Sequence, residues 1–182
     1  MIIKIAFYKG RGRLRDRFIR WWTKSPYSHT ELILPDDKGW IGIYPPDCPT
    51  VRLRAIAEDY VTGEWDFIDL HATAEQVDVI MNFYHATAGQ DYDWTGMLLS
   101  HITPFCIKRT NKWYCSEWVA YALEISGVIN PKYTQLYNRN RIPPNVLYDI
   151  VLNQVQAYNW FARPVNDSAP EVLIDEAISI VE

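Results

Sequence analysis

The sequence changes character near residue 72, and that change constrains the fold more than any other feature. Before it, apolar residues come in short runs rich in β-branched and aromatic types. Residues 2–8 (IIKIAFY), 27–34, 40–44, 51–56 and 65–70 each read as strands. Pro35-Asp36-Asp37-Lys38-Gly39 supplies hairpin turn chemistry between the second and third. After it the spacing turns helical. Thr73-Ala74-Glu75-Gln76 has capping-box spacing, and Val77, Ile80, Met81 and Tyr84 follow on one face before Gly89. Further helices are expected over 94–102, over 115–125 ahead of Gly127, and from Pro144 to Leu152, with 158–164 extended. Strands first and helices second imply an α+β fold, an antiparallel sheet packed against helices.

One early helix interrupts the strands. Residues 12–23 place Leu14, Phe18, Trp21 and Trp22 at helical spacing among arginines, and Ser25-Pro26 stops the run. At 182 residues a single domain over 1–165 is expected, followed by an acidic extension over 166–182. The longest apolar run is Trp118 to Leu123, far short of the roughly 20 residues of a membrane span. Nothing at the N-terminus has the make-up of a secretory signal. Three cysteines without a CxxC pair argue against a disulfide framework or a thiolate zinc site, so a reducing, cytoplasmic setting is expected.

The net charge of −4 conceals an asymmetry. Residues 1–24 carry eight Lys/Arg against Asp16 alone, a local +7, whereas 166–182 carry five acids and no base. The arginine-rich helix invites an anionic surface contact through residues 11–24, with Trp21 and Trp22 as interfacial anchors. The competing expectation is that its apolar stripe packs on the sheet and leaves solvated arginines outside, since such stripes ordinarily face their own core. The acidic pI of 5.6 and the lack of a recognition motif give no reason to expect nucleic acid.

Cys115 is the strongest candidate for chemistry. It opens a helix, where free backbone N–H groups and the helix dipole favour a charged sulfur and can donate to an oxyanion on an attacked carbonyl. A small buried core residue is the competing explanation. A thiol nucleophile needs a base, usually histidine. His71, His85 and His101 sit next to helix ends, where solvated roles suffice. His29 lies inside a strand and shares one face with Glu31, with Thr30 and Leu32 on the other. An exposed polar pair on an edge strand would look the same.

Together these pieces resemble the circularly permuted, YiiX-like branch of the NlpC-like papain-fold cysteine hydrolases. Tyr27-Ser28-His29 on a strand is followed 86 residues later by a helix opening Cys115-Ser116-Glu117, the His-before-Cys order of that branch. The opening strand, the helix after it and Asp91-Tyr92-Asp93-Trp94 fit the same order of events. The resemblance spans residues 1–126 and implies a circularly permuted papain-like (NlpC-like) fold. It implies Cys115 as nucleophile, His29 as general base and a bacterial or tailed-phage source. The third polar group, often on the strand after the histidine, is missing from Trp40-Ile41-Gly42-Ile43-Tyr44; Glu31, with Tyr44 behind it, is the substitute. Glu117 reads as a first-turn acid matched to the helix dipole.

The resemblance points to a cysteine peptidase or amidase acting on cell-wall-type peptide amides. A lipid-directed acyltransferase or thioesterase with the same dyad is the alternative, and a non-enzymatic binding module is the reading from outside catalysis. No cofactor or metal is expected. Gly10-Arg11-Gly12 lacks the rest of any nucleotide fingerprint, and Glu75, Asp91 and Asp93 lack calcium-loop spacing, with Asp91 better read as a helix cap. Cys48 and Cys106 have no catalytic context.

Overall fold

In the computed structural model, which describes residues 1–44, 48–55, 61, 63–93, 96–97, 111–137 and 142–161, seven strands form one sheet. They are β1 (Ile2–Tyr8), β2 (His29–Ile33), β3 (Trp40–Tyr44), β4 (Cys48–Arg54), β5 (Trp65–His71), β6 (Asp91–Tyr92) and β7 (Lys112–Trp113), in the order β5-β1-β2-β3-β4-β6-β7. All pairings are antiparallel except β6 with β7. Five α-helices accompany them among the described residues: α1 (Leu14–Thr23), α2 (Ala74–Thr87), α3 (Cys115–Ile125), α4 (Pro131–Gln135) and α5 (Pro144–Phe161). The mixed α+β class read from the chain is the one observed.

The alternation in β1 and β2 sends Ile3, Ile5, Phe7 and Leu32 into the main core, where they meet α3 residues Trp118, Val119 and Leu123. α3 is buried at every position from Cys115 to Ala120, as expected of a helix apolar on most sides. α2 begins with the reciprocal cap its sequence encodes. The Gln76 N–H donates to Thr73 Oγ1 at 3.2 Å, and the Thr73 N–H donates to Gln76 Oε1 at 2.9 Å. On the opposite face of the sheet Ala6, Ile33, Trp40 and Trp65 form a smaller cluster.

Several expectations need correction. α5 runs to Phe161, so 158–161 is helical where extended chain was expected. Val146, Leu147, Ile150, Val151 and Val155 keep a helical stripe against the core, and no proline intervenes before Pro164. Asp91 is a β6 residue. The capping role falls to Asp93, whose Oδ1 accepts from the Gly96 N–H at 2.7 Å. Most of the helix expected over 94–102, the acidic extension 166–182, and His101 and Cys106 lie outside the described residues, as do the side chains of Tyr44 and Cys48.

The largest correction concerns α1, whose apolar stripe does not pack on the sheet. Leu14 is 79% exposed and Trp21 71%, with Phe18 and Trp22 also exposed. The face turned to the body carries Asp16, Ile19, Arg20 and Thr23 instead. Asp16 is buried and accepts from the Arg13 N–H at 2.8 Å. The Arg20 guanidinium donates to the carbonyls of Gly10 and Arg11. α1 turns inward the groups that pin the preceding loop, and that leaves its aromatic side outside.

Candidate active site

His29 is the first residue of β2, and Cys115 is the first residue of α3. β2 lies between β1 and β3 and is buried at all five positions, which excludes an exposed edge-strand pair. The imidazole is hydrogen-bonded to the side chain of Cys115. Its Nε2 stands 3.0 Å from Glu31 Oε1, so Nδ1 is the nitrogen left for the sulfur. His29, Glu31 and Cys115 are 4%, 1% and 5% exposed.

Glu31 fits beside His29 because its neighbours on both flanking strands are small. Ala6 is its partner on β1. On β3 the pairing of Leu32 with Ile41 and Ile33 with Trp40 brings Gly42 next to it. A Cβ at position 42 would lie 2.5 Å from Glu31 Cγ and 2.7 Å from Cδ, so only glycine leaves the carboxylate its room. The missing side chain also opens a path across β3 to β4. Arg54 reaches over it and donates from Nη2 to both Glu31 oxygens at 3.2 Å, its guanidinium lying 5.6 Å from the Trp40 ring centre. The order across the site is therefore sulfur, imidazole, carboxylate, guanidinium.

The ionisation of His29 and Glu31 is linked along this row. Burial alone would lower the pKa of His29, but the charge and hydrogen bond of Cys115, and then those of Glu31, overcome it and raise the ring to about 9. Burial would raise the Glu31 carboxyl, yet the hydrogen bond and charge of His29, backed by Arg54 and Arg52, hold it below its ordinary value. Both effects favour a protonated imidazole beside an ionised Glu31. Neutralising Glu31 by a second cation keeps the buried carboxylate ionised, which an isolated buried acid would resist.

Cys115 also lines a groove that is partly open to solvent. Its walls include Phe18, Ile19 and Trp22 from α1, together with Met97, Pro143 and Pro144; Thr23, Ser28 and Ser116 add hydroxyls. Among the described residues no charged side chain lines it. At its floor α3 presents the first backbone N–H groups, which no preceding turn can satisfy. The N–H of Cys115 is among them.

The remaining sequence candidates are elsewhere. His71 stacks on Tyr158 with ring centres 4.8 Å apart, and His85 is exposed in the last turn of α2. Glu117 is an acid in the first turn of α3, as its position implied, and is 3% exposed. Lys112, three residues before the sulfur, pairs with Asp91 at 3.4 Å. Among the described residues no group of three or more His, Cys, Asp or Glu side chains is placed to hold a metal ion. Sequence reasoning missed Arg54 and Gly42. Arg52 and Arg54 sit two residues apart on a strand, the same spacing that drew attention to His29 and Glu31, and this was the available signal for Arg54.

No protein-family model matches the chain, and neither does any curated protein. The chemistry of the site rests on the row Cys115, His29, Glu31 and Arg54 itself.

Proposed function

We propose that the protein is a cysteine hydrolase working through a thioester at Cys115, with His29 as proton carrier and Glu31 as the group that orients it. The observation that carries this reading is the buried imidazole held between a sulfur and a carboxylate, the arrangement a thiol nucleophile requires. The Cys115 sulfur attacks a carbonyl carbon, and the oxyanion that forms accepts from the N–H groups opening α3. His29 passes its proton to the departing amine, alcohol or thiol, leaving an acyl thioester. Water then adds to the thioester while His29 takes its proton. Collapse expels the sulfur and releases a carboxylic acid. Glu31 fixes the tautomer and ring angle throughout and stays ionised.

The His-before-Cys order and the α+β frame fit the permuted papain-like architecture that the sequence resembles, and we adopt it as the working fold assignment. For the substrate, that resemblance suggests cell-wall peptide amides. The groove favours the lipid-directed alternative instead. A cell-wall peptide brings carboxylates and amines that need charged partners, whereas the described walls are mostly apolar with a few hydroxyls and no charged side chain. An apolar acyl group is the better match.

The test is intact-mass spectrometry during turnover of acyl p-nitrophenyl esters of two to twelve carbons, alongside N-acyl and peptide amides. The expected result is an acyl adduct on Cys115, turnover that rises with acyl length, and loss of both in Cys115→Ala. Turnover that survives in Cys115→Ala removes the proposal. Preference for charged peptide amides over acyl esters returns the substrate to the cell-wall class.

A further inference from the structure

We infer that α1 is a docking surface for an anionic phospholipid bilayer and that docking sets the mouth of the Cys115 groove at the lipid surface. The delivery of acyl substrate rests on the thiol chemistry proposed above; the docking itself does not.

Single exposed apolar side chains are normal on a soluble protein, but this group is not scattered. Leu14, Phe18 and Trp21 recur at four- and three-residue steps, so they form one stripe, and Trp22 adjoins it. Their rings contact one another, with centres about 6 Å apart for Phe18 with Trp21, Phe18 with Trp22, and Trp21 with Trp22. Beneath them the helix buries Asp16 and anchors Arg20 on the Gly10 and Arg11 carbonyls, so it cannot roll the stripe inward without exposing those bonds. A helix with its aromatic side outward and its acid inward is built for an apolar contact on the outside.

The charges around the stripe identify the partner. Arg11, Arg17 and Lys24 are exposed on or beside α1, within a segment of local charge +7 in a chain of net charge −4. A basic rim with tryptophan and leucine at its centre suits anionic headgroups over acyl chains, and tryptophan favours that interface. An acidic protein without such a patch would be repelled from the same surface. The stripe is also continuous with the groove, because Phe18 and Trp22 belong to both. An acyl chain leaving the bilayer beside Phe18 meets the groove wall and then the sulfur.

The experiment uses the full chain carrying Cys115→Ala, which separates docking from turnover, and vesicles of phosphatidylcholine with or without one quarter phosphatidylglycerol. Co-sedimentation is expected with the anionic vesicles, at least 10-fold above pure phosphatidylcholine and weakened by salt. Leu14→Ser/Trp21→Ser, two positions that do not line the groove, should abolish it. Arg17→Glu/Lys24→Glu should weaken it about 25-fold or more, from about 1 kcal/mol per basic residue near the surface. Brominated acyl chains should quench tryptophan emission in the parent and not in the Leu14→Ser/Trp21→Ser variant.

A folded parent that stays in the supernatant overturns the inference, whether because its acidic C-terminal extension covers α1 or because nothing docks there. Sedimentation unchanged in Leu14→Ser/Trp21→Ser overturns it equally. In Cys115-intact protein, that variant should keep turnover of a soluble short-chain ester and lose turnover of a vesicle-embedded one. Loss of the soluble turnover in Cys115→Ala tests the thiol chemistry separately.

Discussion

Glu31 occupies the space that a side chain at position 42 would fill, and its carboxylate reaches both His29 and Arg54 because Gly42 has none. Gly42→Ala would set a methyl carbon 2.5 Å from Glu31 Cγ. The buried carboxylate, tied on two sides, cannot swing away without breaking a bond. A destabilisation of about 1–3 kcal/mol is expected from overpacking. A fall in kcat of about 10–100-fold should accompany it, the usual cost of losing an orienting partner. Urea melts and steady-state kinetics on the one variant check both. An unchanged kcat would show that Glu31 has no part in turnover.

Glu31→Gln keeps the shape and removes the charge. Because the carboxylate helps to raise the pKa of His29 to about 9, its loss should move the alkaline limb of kcat/KM to lower pH. The fall in kcat should again be about 10–100-fold. A variant that loses stability but keeps its alkaline limb in place would confine Glu31 to a structural role.

Cys115→Ala and His29→Ala should each reduce turnover by about 10⁴-fold or more, and the double variant should be no worse than either single one. Groups that act as one unit are not additive. Purified variants compared at the pH optimum settle this, with far-ultraviolet circular dichroism to confirm the fold. Additive losses would mean that the two side chains act separately.

The row of charges also makes stability depend on pH. His29 is raised from an ordinary 6.5 to about 9, so its contribution is fully present below about pH 6.5 and is lost as pH rises through about 9. Thermal melts between pH 6 and 10 should show this fall. His29→Gln should flatten it. The same slope in that variant would assign the effect to another group.

The readable parts of this chain are those where local pattern and tertiary role agree. β1, β3 and α3 appear where their alternation, turns and Gly127 stop place them. His29 and Glu31 could be put on one face because a strand has a period of two. β6 and β7 are two residues each, too short to carry any period, and their pairing is set by partners distant in sequence. The end of α5 runs past its expected stop because, although Tyr158 and Trp160 favour strands in isolation, the stripe from Val146 to Val155 commits the helix before they are reached. Arg54 and Gly42 act across three strands, and register is invisible without coordinates. α1 defeats the ordinary rule outright. Its stripe has the spacing of a core helix, and only the burial of Asp16 and the ties of Arg20 show which side turns inward.

The separation of His29 and Cys115 in the chain has a consequence for the protein's own synthesis. The strand bearing the base emerges from the ribosome long before the helix bearing the sulfur. The two are neighbours only where α3 is seated against the sheet. A chain in which α3 has not docked lacks the pair altogether. Because one partner sits on β2 and the other on α3, any lesion that loosens α3 from the sheet would part them while leaving both residues intact.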